Sequence, residues 1–168
     1  MPETPEALLA RLAAAGIAAE TRHHPPVFTV AESRDLIDEL PGGHTKNLFL
    51  RPAKGDGPYL LATLEAERQL SVNALARMAE AGKVTMASAE ELIATLGVPP
   101  GSVTPFGLVN AAPGSVRFVI DRHLVEGFDR IWVHPLTNAA STALAPAALL
   151  RFLADLGHAA RVLDLDAA

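Results

Sequence analysis

One turn sequence between two apolar segments restricts the fold of this chain more than any other feature. Residues 47–51 and 59–64 are of strand length and rich in apolar side chains, and residues 54–58 between them read Lys-Gly-Asp-Gly-Pro. Gly, Asp and Pro gathered in so short a segment are typical of the turn of a β-hairpin. Because both flanking segments are strongly apolar, we expect the two strands to lie at the centre of a sheet.

Further helices and strands are expected on both sides of this hairpin. Segments that combine a capping side chain or an early proline with an apolar stripe indicate helices at residues 4–16, 29–40, 71–79, 88–97 and 146–157. Strand-like segments occur at residues 18–24, 83–86, 116–121, 131–134, 139–144 and 160–165. Helices and strands do not alternate strictly, which favours a mixed sheet over a doubly wound parallel one. We therefore predict a mixed α/β (α+β) fold with a central, largely antiparallel sheet flanked by helices.

Length and composition predict a single domain over residues 1–168. The 168 residues are 49% hydrophobic, which is enough for one sizeable core. The N-terminal segment lacks the basic-then-apolar order of a secretory signal, and no apolar run approaches the ~20 residues that span a bilayer. The sequence thus predicts a soluble, cytoplasmic protein that does not bind membranes.

The absence of cysteine excludes several kinds of chemistry. Without cysteine the chain has no disulfide, no thiolate metal site and no cysteine nucleophile. The formal net charge of −5 argues against non-specific binding to nucleic acid and gives no indication of a DNA partner. A local basic groove for RNA remains compatible with this charge.

Three loop segments carry groups that could do chemistry. Residues 42–47 connect a helix to a strand, and their Lys46 could direct a cation at a phosphate or hydroxyl. Residues 101–107 combine two glycines, a proline and two hydroxyls, so that several amides could face one anion or carbonyl. His134 ends a strand and is followed by a proline turn and polar side chains that include Asn138. Taken singly, each segment is also typical of an ordinary loop.

Neither a metal site nor a covalent nucleophile is indicated. The neighbouring His23 and His24 would point to opposite sides of a strand, and no two histidines have the helical spacing of zinc motifs. No nucleophile elbow or recognisable serine triad occurs. These patterns favour a site that binds an ester through backbone amides and one lysine and lets water attack it. A metal-dependent hydrolase and a non-catalytic binding module remain as alternatives.

Four segments, in this order and at these separations, resemble a known family. They are residues 24–29 (His-Pro-Pro-Val-Phe-Thr), 43–50 (Gly-His-Thr-Lys-Asn-Leu-Phe-Leu), 101–108 (Gly-Ser-Val-Thr-Pro-Phe-Gly-Leu) and 134–138 (His-Pro-Leu-Thr-Asn). Over nearly its whole length the chain resembles the YbaK/prolyl-tRNA-synthetase-associated editing domains, and among them the ProX-type free-standing prolyl-tRNA editing proteins. This resemblance implies a mixed α/β fold and hydrolysis of the ester between a wrong amino acid and the terminal adenosine of the tRNA. It implies no metal and no organic cofactor.

The resemblance also implies roles for individual residues. Lys46 is expected to contact the terminal nucleotide and to be needed for activity, while Gly101 and the loop that follows it hold the aminoacyl carbonyl region. His134 is expected to line the amino-acid pocket. The other substrate-binding residues expected in these segments are Asn47, Ser102, Thr104, Pro105 and Asn138. For the apolar walls of the pocket we expect Val30, Leu36 and Phe49.

The expected substrate is alanyl-tRNA(Pro). A synthetase pocket made for proline cannot strongly reject the smaller alanine, because a missing methylene is worth only ~1–3 kcal/mol. Cysteinyl-tRNA(Pro) is the alternative, although the cysteine-directed class has a Ser-Pro-Leu-Gly turn where residues 104–107 here read Thr-Pro-Phe-Gly. Prolyl-tRNA synthetase is the expected protein partner. The cations expected to contact the tRNA, each equally open to simple solvation, are Arg51, Lys54, Arg77 and Lys83.

Overall fold

The computed structural model describes residues 1–26 and 30–167, without the side chains of Val30, Ala31 and Ser33. The helices in this part of the chain are α1 (Pro5–Ala14), α2 (Val30–Glu39), α3 (Val72–Met78), α4 (Ala89–Leu96), α5 (Arg122–Glu126) and α6 (Pro146–Asp155). The strands are β1 (Glu20–His23), β2 (Gly43–Pro52), β3 (Tyr59–Glu65), β4 (Val84–Met86), β5 (Val116–Asp121), β6 (Ile131–Val133), β7 (Ala140–Leu144) and β8 (Arg161–Leu163). Two short 3-10 helices cover Pro105–Asn110 and Leu165–Ala167.

The strands form a mixed sheet in the order β1-β7-β6-β2-β3-β5-β8, and β4 also pairs with β2. Four of the pairings are antiparallel and three are parallel. The hairpin of β2 and β3 lies at the centre, with Phe49 opposite Leu61 and Leu50 opposite Leu60. The mixed, largely antiparallel sheet and the central hairpin that the sequence predicts are both confirmed.

The two faces of the sheet are covered by different helices. Alternate residues of a strand point to opposite faces, so the neighbours Phe49 and Leu50 belong to different cores. Phe49 packs in the larger core, to which α1, α4, α5 and α6 contribute. Leu50 packs with Leu75 of α3, and on the same side Leu36 and Leu40, at and just after the end of α2, pack near Trp132. We call this second side the α2/α3 face.

The helix starts follow the capping pattern of the sequence. Thr4, Ser71 and Ser88 each accept a hydrogen bond from an amide of the first helical turn, as the sequence predicts. Ser88 forms a complete capping box with Glu91 at the start of α4. The predicted cap of α2, Thr29, lies outside the described residues. None of the helices seen in the structure has both the length and the apolarity needed to cross a membrane.

Besides the 3-10 helix Leu165–Ala167, two elements are absent from the sequence-based prediction. The helix α5 has five residues and starts where the Asp121 carboxylate accepts from the His123 amide. The 3-10 helix Pro105–Asn110 starts at Thr104, whose hydroxyl accepts from the Phe106 amide. Both elements are too short to show an apolar period, so tertiary contacts rather than pattern determine them.

Replacing Gly43 by alanine should destabilise the junction of β2 with β6. A Cβ at this position would lie 2.6 and 2.8 Å from ring carbons of Phe128. We expect Gly43→Ala to lower the free energy of unfolding by about 1–3 kcal/mol because the ring is packed and must move. Urea denaturation measures this loss. The control is Gly57→Ala, whose Cβ would meet only Pro52 Cγ at 3.4 Å; equal losses in both variants would contradict the steric explanation.

Candidate functional site

The edge of β2 opposite β3 changes its partner along the strand. Gly43 and His44 pair with β6, whereas residues 50–52 pair with β4. In the part of the chain that the structure describes, no strand pairs with residues 45–49 on this edge, although the Ala87 amide donates to the Phe49 carbonyl. We call this opening the β2 gap. A break in strand pairing leaves main-chain and side-chain polar groups accessible within a rigid sheet.

Lys46 and His134 lie beside the β2 gap and on the same face. His44 is in parallel register with Trp132, and two residues further along each chain are Lys46 and His134. His134 is the first residue after β6, and strand alternation continued by that one residue puts both side chains on the α2/α3 face. The rings of His44 and Trp132 stack there with centroids 6.4 Å apart. The structure therefore brings together two of the three segments that the sequence singles out.

In the described residues, the Lys46 ammonium has a hydrogen-bond acceptor but no carboxylate partner. Its Nζ donates a hydrogen bond to the main-chain carbonyl of Arg68. Among the residues that the structure describes, no carboxylate oxygen lies within ion-pair distance of this ammonium. A carbonyl fixes the direction of the side chain and leaves its full charge available to an anionic or polar ligand.

His134 is held as a neutral hydrogen-bond acceptor. Its Nδ1 lies 3.1 Å from the carbonyl of Ala140. Because a carbonyl can only accept, Nδ1 carries the proton and Nε2 presents a lone pair. Burial lowers the pKa of the His134 imidazole below its ordinary value, the bond to Ala140 opposes this shift, and the nearby His24 adds to it. The ring is therefore uncharged near neutral pH.

A histidine and serine pair extends this polar row across the sheet. His24 Nδ1 lies 2.9 Å from the Pro25 carbonyl and so carries the proton, and His24 Nε2 lies 2.9 Å from the hydroxyl of the buried Ser141. The sequence places His24 only in a family motif, and Ser141 gives no sequence signal because its relevance comes from strand register alone. Within residues 1–26 and 30–167, no three His, Asp or Glu side chains are grouped as metal ligands.

The third segment is attached to the end of β6. The fully buried Thr104 donates from its hydroxyl to the His134 carbonyl at 2.6 Å and accepts from the Phe106 amide at 3.3 Å. This hydroxyl thus holds the loop in place, a role different from the substrate contact that the sequence suggests. Gly101 is exposed with φ 92°, a conformation that favours glycine. In the described part of the chain, the amides of Gly101 and Val103 have no hydrogen-bond acceptor.

The turn after His134 has an unusual backbone. Leu136 has φ 66°, a conformation that a branched residue rarely adopts, and its side chain is buried in the larger core. The Thr137 hydroxyl accepts from the Ala139 amide, and Asn138 is half-buried. Core packing of Leu136 thus keeps the turn in a strained conformation directly after the site histidine.

The other expected pocket residues divide between the two faces. Leu36 is half-buried and packs beside Trp132 on the α2/α3 face. Phe49 is 3% exposed and stacks on Tyr59 in the larger core, so it does not join Lys46. Asn47 also points to that opposite face, where its Oδ1 accepts from the Thr63 hydroxyl at 2.6 Å. The side chain of Val30 is outside the described part.

Three of the four expected tRNA-contacting cations lie away from Lys46. Strand register and the bond from the Ala53 amide to the Lys83 carbonyl place Arg51, Lys54 and Lys83 at the far end of β2. Arg51 is five residues from Lys46, or about 17 Å along the strand, and points to the opposite face. Its guanidinium lies 3.8 Å from Glu91. Arg77 is exposed in the last turn of α3.

Removing the Thr104 hydroxyl should loosen the loop at the site. We expect Thr104→Val to lower the free energy of unfolding by about 1–3 kcal/mol, because the buried His134 carbonyl and Phe106 amide lose a partner while the side-chain volume is kept. Thr104→Ser, which retains the hydroxyl, is the matched control. Guanidinium denaturation of the three proteins measures the difference. A smaller loss in the valine variant than in the serine variant would contradict the anchoring role.

One family profile and several named proteins are similar to this chain. A profile of the aminoacyl-tRNA editing domain matches residues 24–152. Prolyl-tRNA synthetase associated domain-containing protein 1 of Bos taurus is 39% identical over 163 residues, which cover 95% of this chain and 94% of the relative. Prolyl-tRNA editing protein ProX of Acetoanaerobium sticklandii is 30% identical over 160 residues, covering 95% of this chain and 96% of the relative.

A solved structure agrees in fold. It was described as a candidate trans-editing enzyme for prolyl-tRNA synthetase, is 22% identical, and superposes with a TM-score of 0.70 over 95% of this chain and 96% of its own. Identity at that level supports the fold, and the profile match and the 39% identity to the bovine protein support the family. The chain therefore belongs to the aminoacyl-tRNA editing domain family.

Proposed function

We propose that this protein removes alanine wrongly attached to the tRNA for proline by hydrolysing the aminoacyl ester. The observation that carries the proposal is the arrangement of Lys46 and His134 on one face of the β2 gap, in a chain of the aminoacyl-tRNA editing domain family. The similarity to the protein named ProX supports prolyl-tRNA as the nucleic-acid substrate. We expect the reaction to take place in the cytoplasm and to need no metal or organic cofactor.

Lys46 would bind the terminal adenosine of the tRNA. Its ammonium is held by the neutral carbonyl of Arg68 and keeps its charge. A lysine in this state can donate to a phosphate oxygen or a ribose hydroxyl with little competition from the protein. This contact would place the ester in the β2 gap, where positioning contributes to the rate.

The loop after Gly101 would polarise the ester carbonyl. The amides of Gly101 and Val103 donate to no acceptor among the residues described, and the bond from Thr104 to the His134 carbonyl holds the loop near the site. Preorganised amides stabilise the charge that develops on a carbonyl oxygen during attack by water. An aminoacyl ester is already reactive, so this polarisation needs no covalent intermediate on the protein.

His134 would orient the attacking water or the amino group of the substrate. Its Nε2 lone pair is the acceptor on the site face, since Nδ1 donates to Ala140. Burial keeps the ring neutral by lowering its pKa. A neutral acceptor can bind a water or an ammonium, whereas an imidazolium would repel the ammonium and could not accept.

Selection of alanine would follow from size. The α2/α3 face beside Lys46 is lined by apolar groups that include Leu36 and the ring of Trp132. A small, rigid pocket there admits alanine and excludes the larger proline, so the correct prolyl ester is spared. Arg51, Lys54 and Lys83 would contact phosphates away from the ester, since they lie at the far end of β2, and the exposed Arg77 of α3 would also contact the tRNA.

Release of labelled alanine from alanyl-tRNA(Pro) tests the proposal. We expect the purified protein, with a chelator present, to release alanine while leaving prolyl-tRNA(Pro) intact. Lys46→Gln replaces the ammonium with a neutral amide on a side chain one bond shorter, and should lower kcat/KM about 100- to 1,000-fold. Cysteinyl-tRNA(Pro) is assayed in parallel.

The matched control replaces a cation far from the site. Arg151 is exposed on α6, so Arg151→Ala should leave turnover unchanged. Faster release of cysteine than of alanine would reject alanine as the substrate. No turnover of any of the three esters would reject the hydrolase assignment, and loss of activity on chelation would reject metal independence.

The decline of kcat/KM at acidic pH should reflect protonation of His134. Because burial lowers its pKa, His134 stays neutral as the pH falls to the ordinary histidine value of 6.5 and gains its proton only below it. We expect kcat/KM to be constant from about pH 8 to about pH 6.5 and to decline below that. His134→Gln should lower activity and flatten this limb.

A second buried histidine provides the control for this profile. Burial also lowers the pKa of His44, whose Nε2 lies 2.7 Å from the Leu40 carbonyl. His44→Gln should retain the acid limb of kcat/KM. If the limb disappears with His44 and persists with His134→Gln, the assignment of the titrating group is wrong.

A further inference from the structure

We propose that Arg68 and Asp121 position the Lys46 ammonium, so that Arg68 is a positioning residue for the reaction; the catalytic consequence rests on the proposed function. Lys46 Nζ donates to the main-chain carbonyl of Arg68. The side chain of the same arginine binds Asp121. We call these two side chains the Arg68–Asp121 clamp. The clamp fixes the position of Arg68, whose main-chain carbonyl accepts the hydrogen bond from Lys46.

The Asp121 carboxylate is fully buried, and both of its oxygens accept hydrogen bonds. Asp121 accepts from Arg68 Nε at 2.6 Å and from Arg68 Nη2 at 3.2 Å. It also accepts from the amides of Glu65 at 3.1 Å and His123 at 3.0 Å. A bidentate contact between a guanidinium and a carboxylate permits one orientation of the arginine. If the Arg68 side chain shifted, the buried Asp121 carboxylate would lose hydrogen-bond donors.

The loop that carries Arg68 is fixed at its start as well. The Ala66 amide donates to the His44 carbonyl of β2 at 2.9 Å, and the Arg68 amide donates to the Glu65 carbonyl at 3.0 Å. The loop thus leaves β3, is hydrogen-bonded to β2 two residues from Lys46, and is held at Arg68 by the clamp. Its carbonyl is therefore placed relative to the strand that carries the lysine.

A second carboxylate on Arg68 contributes little to this placement. Asp166 accepts from Arg68 Nη1 at 2.9 Å, but its side chain is 77% exposed. Exposed ion pairs are weak because water and salt screen them. The buried contact to Asp121 therefore determines where the Arg68 carbonyl lies, and Asp166→Asn is a matched control that removes only the negative charge of the exposed contact.

The reactivity of lysine amines tests the contact directly and without any substrate. The chain has three lysines, Lys46, Lys54 and Lys83, so the two exposed ones serve as internal references. Brief reductive methylation followed by mass spectrometry gives the rate for each. In Arg68→Lys, which keeps the charge but loses the two-pronged contact, we expect Lys46 to react about threefold faster or more as its ammonium is released. Asp166→Asn should leave all three rates unchanged.

Kinetics distinguish positioning from a general effect on the fold. In Arg68→Lys we expect kcat on alanyl-tRNA(Pro) to fall about 10- to 100-fold with little change in KM, since a misplacement of about 1 Å can cost this much. In the double variant with Lys46→Gln, the arginine change should add no further loss, because it acts only through the lysine. Thermal unfolding shows whether Arg68→Lys is folded at the assay temperature; Arg68→Gln, with a shorter neutral side chain, is the second variant.

The outcomes separate this inference from the proposed function. Unchanged Lys46 labelling in both arginine variants would overturn the clamp, and so would losses that add in the double variant. Faster Lys46 labelling in an arginine variant of a protein that hydrolyses none of the esters would establish the contact and reject the hydrolase. Faster labelling with the non-additive loss of turnover supports both.

Discussion

The change of partner along β2 is the constraint on which the site depends. Its first residues pair with β6 and its last with β4, while β3 pairs with it along the opposite edge. The strand is thus held rigidly, yet among the described residues no strand pairs with residues 45–49 on the edge that meets β6 and β4. Rigid elements place functional groups more accurately than loops do. Lys46 therefore stands on a fixed strand, His134 follows the end of β6, and Thr104 attaches the Gly101 loop to the His134 carbonyl.

Charge at the site is local, and the acidic total charge of −5 does not describe it. In the described residues, eight of the eleven arginines lie within ion-pair distance of a carboxylate, as Arg51 does of Glu91. Lys46 instead meets a carbonyl, and His134 is neutral because burial lowers its pKa. The Lys46 ammonium, which has no carboxylate partner among the described residues, suits a phosphate or hydroxyl group of a ligand. The neutral His134 beside it suits an ammonium group of the same ligand.

The sequence predicts most of the fold because its signals are local. The hairpin, the caps at Thr4, Ser71 and Ser88, and most strands depend on neighbouring residues and are found as expected. The site is predicted less completely. The apolar character of Phe49 suggests a pocket wall, but strand alternation directs its side chain into the larger core. The roles of Arg68 and Ser141 depend on contacts across the sheet, which no local pattern records.

The acceptor of the Lys46 ammonium is a main-chain group, which every residue type supplies. Divergence of relatives could therefore change residue 68 without deleting the acceptor itself. What the contact requires is a side chain that orients the carbonyl, and here that orientation comes from a salt bridge to Asp121. Among related sequences, the residues at positions 68 and 121 should consequently change together, while the lysine at position 46 stays the same.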